Sequence, residues 1–193
     1  MSDALRQRAR LRVVGRPEPD ASAAECEAIG PEHFDALYRR YASYVASIAV
    51  RLVGRDAELD DLVQDVFIEV LRGLPKLRDP RAFKGWLAQI TVRTSTRRLR
   101  QRNLRRALHV PETVPDYEAL SAPSATPEQR ALVAQLYRVL DRLPAKTRVI
   151  WVLRHVLDEP LSSVAELAEC SQSTVQRRLI DAQAAIDGEL IHG

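Results

Sequence analysis

Asp56-Ala57-Glu58-Leu59-Asp60-Asp61-Leu62-Val63-Gln64-Asp65-Val66-Phe67-Ile68-Glu69-Val70-Leu71 is an acidic, apolar-striped stretch. After a short proline-bearing break comes a second segment, from Phe83-Lys84-Gly85-Trp86-Leu87 to Arg97-Arg98-Leu99-Arg100-Gln101-Arg102-Asn103-Leu104-Arg105-Arg106. In the first, Leu59, Leu62, Val63, Val66, Phe67, Val70, Leu71 and Leu74 follow the i, i+3, i+4, i+7 spacing of one helical face, which predicts a core-facing stripe. Glu58, Asp61, Asp65 and Glu69 line up on another face as a row of negative charge. From Lys84 to Pro111 there are one lysine, seven arginines and no acid. Like charges kept together on one continuous helix point to an anionic partner, since a merely solvated face mixes signs. Trp86 lies beside these charges, where an indole suits stacking on an exposed base, worth about 1–3 kcal/mol. Phe83, Leu87 and Ile90, again at helical spacing, read as core.

Working outward, the pattern stays helical and strands are not expected. Phe34, Leu37, Tyr38, Tyr41, Val45, Ile48 and Leu52 share one face from Pro31 onward, and Gly54 supplies the stop. Asp79 before Pro80 marks the start of the basic helix, a capping carboxylate with proline at the first helical position. Residues 107–125 carry Pro111, Pro115 and Pro123 and break the period, which reads as a flexible linker. Thr126 and Gln129 form a capping-box pattern, followed by the stripe Leu132, Leu136, Val139, Leu140 and Leu143. Pro144 opens a helix with Val149, Ile150, Val152, Leu153 and Val156 apolar. Ser163 and Glu166 suggest a second capping box, and a last helix begins near Ser171, so that residues 161–193 read as a helix-turn-helix. On that last helix Val175, Leu179, Ala182 and Ile186 face inward, while Gln172, Ser173, Gln176, Arg177 and Gln183 face out, with Arg178 near the edge. Arg and Gln near the start of such a helix suit base edges in the major groove, and Ser171 and Thr174 suit phosphate.

At 193 residues and 21.7 kDa the chain has room for two small domains. Its net charge of +3 conceals the segregation of acid and base described above. The expected organisation is all-α: a mobile basic extension over 1–30, a first helical domain over 31–106, a linker over 107–125 and a second helical domain over 126–190. Cys26 and Cys170 lie far apart with no CxxC, so neither a disulfide framework nor a zinc site is indicated. A reducing cytoplasm fits, and no apolar run approaches the length of a membrane span. His33, His109, His155 and His192 are scattered, and no phosphate-cradling glycine loop or nucleophile motif is present. Neither enzymatic chemistry nor a cofactor is expected.

Asp61-Leu62-Val63-Gln64-Asp65-Val66-Phe67, then Phe83-x-x-Trp86-Leu87 and the basic helix, resembles region 2 of the extracytoplasmic-function (ECF) sigma factors of bacterial RNA polymerase. Leu143-Pro144-x-x-x-Arg148-x-Ile150-x-x-Leu153-Arg154, Val164-Ala165-Glu166-Leu167-Ala168 and Ser171-x-x-Thr174-Val175-x-x-Arg178-Leu179 are similar to region 4 of the same family. The resemblance implies that Asp61, Gln64, Asp65 and Glu69 bind core RNA polymerase, on the clamp helices of its largest subunit. It implies that Lys84, Trp86, Gln89, Arg93, Arg97 and Arg100 engage the promoter −10 element. Ser171, Ser173, Thr174, Gln176, Arg177 and Arg178 would then engage the −35 element. It also allows for an anti-sigma protein clamping the two domains. Arg93 and Arg97 stand where the family commonly has Asn and Asp. Glu169 stands where it usually has a turn glycine, so the turn either avoids a positive φ or carries strain. A helix-turn-helix regulator acting without polymerase is the alternative reading; it predicts tight duplex binding by the isolated protein and no effect from reversing Asp61, Asp65 and Glu69 to Lys.

Overall fold

The structure is a computed structural model and describes residues 34–110 and 114–191, of which the last two are described in backbone only. The expected basic extension over 1–30, with Cys26, His33 and His192, lies outside the described residues. Seven α-helices follow in order among the described residues: α1 Phe34–Val53, α2 Leu59–Gly73, α3 Phe83–Ala107, α4 Pro127–Arg142, α5 Ala145–His155, α6 Leu161–Leu167 and α7 Gln172–Ile191. Short 3-10 turns occupy Leu74–Lys76, Pro80–Ala82 and Glu118–Leu120. No strand forms among these residues; one isolated antiparallel bridge joins Arg55 to Asp116.

The helix ends follow local chemistry. Val53 ends α1 because Gly54 takes φ +93°, a backbone that L side chains rarely adopt. The Asp56 side chain accepts from Glu58 N at 3.0 Å, a local turn that delays α2 to Leu59. Asp79 caps the turn leading into α3 by accepting from Arg81 N at 2.9 Å. The capping box of Thr126 and Gln129 forms in both directions. The second expected box does not. With Asp158 at φ +54° and Pro160 as the cap residue, α6 already starts at Leu161, which leaves Ser163 inside the helix rather than at its cap.

Helices α1, α2 and α3 pack as a three-helix unit through Leu37, Tyr41, Val45, Leu52, Leu62, Val66, Phe67, Phe83, Leu87 and Ile90, all buried. Helices α4 to α7 form a second unit around Leu140, Ile150, Leu153, Val164, Val175 and Ala182. Trp151 joins this core at 8% exposure. The buried side chains of the two units are continuous, because α5 rests on α1 and α3 while α6 touches α3.

The junction is centred on the carbonyl end of α1, which carries partial negative charge. Tyr137 Oη donates to the Arg51 carbonyl at 3.0 Å, Arg148 Nε to Leu52 at 2.8 Å and Arg102 to Val53 at 2.8 Å. The Arg148 guanidinium also bonds Asp141 Oδ1 and lies over the stacked rings of Tyr117 and Tyr137. Tyr117 Oη donates to Asp141 at 2.6 Å, and Arg106 reaches the same carboxylate at 3.3 Å. The linker thus enters the core at Tyr117 and Leu120 in this arrangement. Burial pushes the Tyr137 hydroxyl up to about 12, against the opposing pull of Arg148 and Arg51. Tyr117 is raised by the same cause, offset in part by Arg148.

Candidate functional site

The stripe of α2 divides as the spacing predicts: Leu62, Val63, Val66, Phe67 and Val70 are buried. Asp61, Gln64 and Asp65 are exposed on the outer face. Ile68 and Leu71 share that face at 46% and 42% exposure, and Tyr38 stands beside it with its ring 4.7 Å from that of Phe67. These three apolar side chains escape the sequence reading, which assigns Tyr38 and Leu71 to buried stripes. Glu69 differs from its neighbours, since it is turned toward α3 and its side chain is 21% exposed.

The basic helix corrects one step of the sequence argument. Six of its seven arginines find acids within the chain, so a run without acids does not by itself demand an external anion. Arg93 and Arg97 both hold Glu69, at 3.1 and 2.9 Å. Arg98 meets Glu58 at 2.6 Å and Asp65 at 3.7 Å, and Arg105 meets Glu58 at 3.6 Å. Arg102, 4% exposed, is a structural residue bonded to Asp56 at 2.6 Å, and Arg106 meets Asp141. Arg100 is exposed and pairs with no acid among the described residues. The two rows share helical spacing, which permits this pairing, but only the crossing of α2 and α3 brings them face to face.

The remaining −10 candidates are distributed around α3. Lys84 Nζ lies over the Tyr44 ring at 5.8 Å. Trp86 is half-buried beside Phe83, ring centroids 6.0 Å apart, and a Cβ built at Gly73 would come within 2.5 Å of its ring, so only glycine leaves room there. Gln89 donates to Glu166 of α6 at 3.2 Å, across the two units. Lys76 and Arg78, in the loop before α3, are exposed.

In the helix-turn-helix, Glu169 takes φ +50°, so the turn keeps its left-handed backbone and carries the strain of a non-glycine residue. Ser171 Oγ accepts from Thr174 N at 3.3 Å and contacts the hydroxyls of Ser173 and Thr174, which caps α7. Ser173, Gln176 and Arg177 are exposed, whereas Arg178 is half-buried and donates to Thr147 at 2.9 Å. Ile180, at 70% exposure, extends the exposed stripe of Ser173 and Arg177. Among the described residues no His/Cys/Asp/Glu group is arranged to hold a metal, and no helix is long and apolar enough to cross a membrane.

The class is therefore an all-helical protein that joins a three-helix unit with facing acidic and basic helices to a helix-turn-helix. The model of the family "Sigma-70 region 2" matches residues 37–105. The ECF RNA polymerase sigma factor SigE of Mycolicibacterium smegmatis is 31% identical over 150 residues, 76% of this chain and 57% of that protein. The RNA polymerase sigma-H factor of Pseudomonas aeruginosa is 28% identical over 166 residues, 81% of this chain and 86% of its own length. The ECF RNA polymerase sigma-E factor of Escherichia coli K12 is 29% identical over 171 residues, with coverages of 81% and 86%. Among solved structures, the sigma factor RpoE of Bartonella quintana, in complex with the anti-sigma factor NepR, superposes with a TM-score of 0.60 at 16% identity, over 82% of this chain and 97% of that one. CnrH in complex with the cytosolic domain of CnrY gives 0.56 at 21% identity, over 88% and 94%. At these identities the likeness shows the fold. The chain carries a Sigma-70 region 2 domain, and its similarity over most of its length to these relatives supports an ECF sigma factor.

Proposed function

We propose that this chain binds core RNA polymerase and directs promoter-specific initiation of transcription, in the cytoplasm and without covalent chemistry of its own. The observation that carries this reading is the outer face of α2: Asp61, Gln64 and Asp65 stand exposed beside Ile68 and Leu71. A polar rim around exposed aliphatic side chains is the composition of a docking surface. In this reading residues 31–106 form the polymerase and −10 domain, 107–125 the linker and 126–190 the −35 domain. Lys84, Trp86, Gln89, Arg93, Arg97 and Arg100 meet the −10 element, and Arg100, which pairs with no acid among the described residues, takes a phosphate. Ser171, Ser173, Thr174, Gln176 and Arg177 meet the −35 element, and Arg178 supports α7 from its bond to Thr147. Gln89 gives up its exposed bond to Glu166 when it turns to DNA, and parting of the two units would release it. An anti-sigma protein that holds the units together would oppose this step.

The test is the affinity of the purified chain for bacterial core polymerase, compared with an Asp61→Lys/Asp65→Lys variant. Reversing two charges at a docked face should weaken binding at least tenfold, about 1.4 kcal/mol. Equal binding by both proteins overturns the assignment of this face. Absence of binding by either overturns the function.

A further inference from the structure

Glu69 shares the acid row of α2, yet its geometry separates it from the other acids. Each of its carboxylate oxygens is taken by a different arginine of α3, Oε2 by Arg93 and Oε1 by Arg97. The two arginines are one helical turn apart, and their side chains remain 55% and 54% exposed while that of Glu69 is 21% exposed. Glu69 is thus the more covered partner, and each arginine meets it through one guanidinium nitrogen while its side chain stays more than half exposed. An arginine carries five N–H donors, so a bond to Glu69 does not exhaust it. Arg100 continues the row three residues on, exposed and without an acid among the described residues. By contrast Asp65 is 51% exposed and only 3.7 Å from its one arginine.

We infer that Glu69 is not a polymerase contact but the positioning residue and counter-ion of a phosphate-binding ridge made by Arg93, Arg97 and Arg100. The inference rests on the function proposed above and assigns one residue of the α2 row to the DNA side of that site. Chemically, one carboxylate holds two long side chains that would otherwise sample many rotamers, which lowers the entropy lost when a phosphate arrives. It also cancels one of the two charges, so the ridge presents a net +2 over three arginines rather than +3. The chemistry recognised is a run of phosphates on a nucleic-acid strand; no base is read by these groups.

The test uses the full chain and two separate probes, core polymerase and a sequence-free oligothymidylate strand. Glu69→Gln should leave polymerase affinity within about twofold of wild type. It should also steepen the log–log salt dependence of oligothymidylate binding by about 0.7, one additional counter-ion on a single strand. In an Arg93→Gln/Arg97→Gln background the same Glu69→Gln change should have no effect on the slope. A loss of polymerase affinity in Glu69→Gln comparable to that of Asp65→Asn overturns the proposal. So does an unchanged slope in the arginine-intact chain, or a changed slope when both arginines are absent. If Asp61→Lys/Asp65→Lys leaves polymerase binding intact, the docking assignment fails instead, and the oligothymidylate result still decides the role of Glu69.

Discussion

Replacing Arg148 by methionine tests the junction most directly. The guanidinium is 1% exposed, and it serves Leu52 O of the first unit, Asp141 and Tyr117. Methionine retains much of the apolar stem, so the loss is chiefly electrostatic and hydrogen-bonding. Removing one member of a buried ion pair ordinarily costs about 3–5 kcal/mol. Here Asp141 keeps Tyr117 Oη at 2.6 Å and Arg106 at 3.3 Å, which places the cost near the lower end of that range. The stranded Leu52 carbonyl adds roughly 1 kcal/mol. A total of about 4 kcal/mol corresponds to a fall in Tm of roughly 8–16 °C for a chain of this size. Thermal unfolding followed by far-UV circular dichroism reads it. Tyr137→Phe, which deletes only the bond to Arg51 O, should cost about 1 kcal/mol in the same assay. If Arg148→Met shifts Tm by less than about 3 °C, the guanidinium does not hold the junction and the reasoning fails.

Three further outcomes follow from the same coordinates. Tyr137 has a folded pKa raised to about 12 from an ordinary value of 10, so its contribution is complete below pH 10 and is lost as pH rises from there through 12; wild type should lose roughly 2–3 kcal/mol more stability over that window than Tyr137→Phe, and tyrosinate absorbance should show Tyr117 and Tyr137 titrating late. Gly54→Ala should destabilise by about 2 kcal/mol or more in urea unfolding, because φ is +93° and the new Cβ would lie 2.6 Å from Tyr117 and 2.7 Å from Pro115; neutrality would show that the linker does not seat there. Glu169→Gly should stabilise by about 0.5 kcal/mol, the relief of a left-handed backbone less the extra chain entropy of glycine, and a loss of stability would mean that the φ of +50° is not strained.

Helix existence and facing were legible in the sequence because the apolar spacing of Leu62, Val66 and Val70, or of Val175, Ala182 and Ile186, has only one good burial solution. Proline and glycine punctuation at Gly54, Asp79-Pro80 and Thr126-Pro127 placed most ends to within a few residues. Ser163 was misread because its capping pattern competes with Pro160, which already starts the helix. The charge pairing was harder to read. Nothing in a single helix says whether its acids or arginines face solvent or each other, and that is settled by how α2 and α3 cross. The junction was the least legible part, since Tyr137 and Arg148 are read locally as members of the second unit, and only the packing brings them to the carbonyl end of α1.

The parting of the units proposed above acts on that junction. Its cross-unit bonds are polar ones: Tyr137 to Arg51 O, Arg148 to Leu52 O, Asn103 to Leu143 O, Arg106 to Asp141 and Gln89 to Glu166. When the units part, water replaces each partner, and the net loss per bond is about 0.5–1.5 kcal/mol rather than its gross strength. Within the second unit, Asp141, Tyr117 and Arg148 keep one another, so no charge is left buried and alone. The polar part of the junction is exchangeable with water, whereas the continuous apolar core across the units must be uncovered by any partner that separates them. It follows that Tyr137→Phe, which weakens only a cross-unit bond, should raise affinity for polymerase by up to about tenfold, whereas Tyr117→Phe, whose hydroxyl bonds Asp141 and Arg148, should not; equal effects from the two would place the opening step elsewhere.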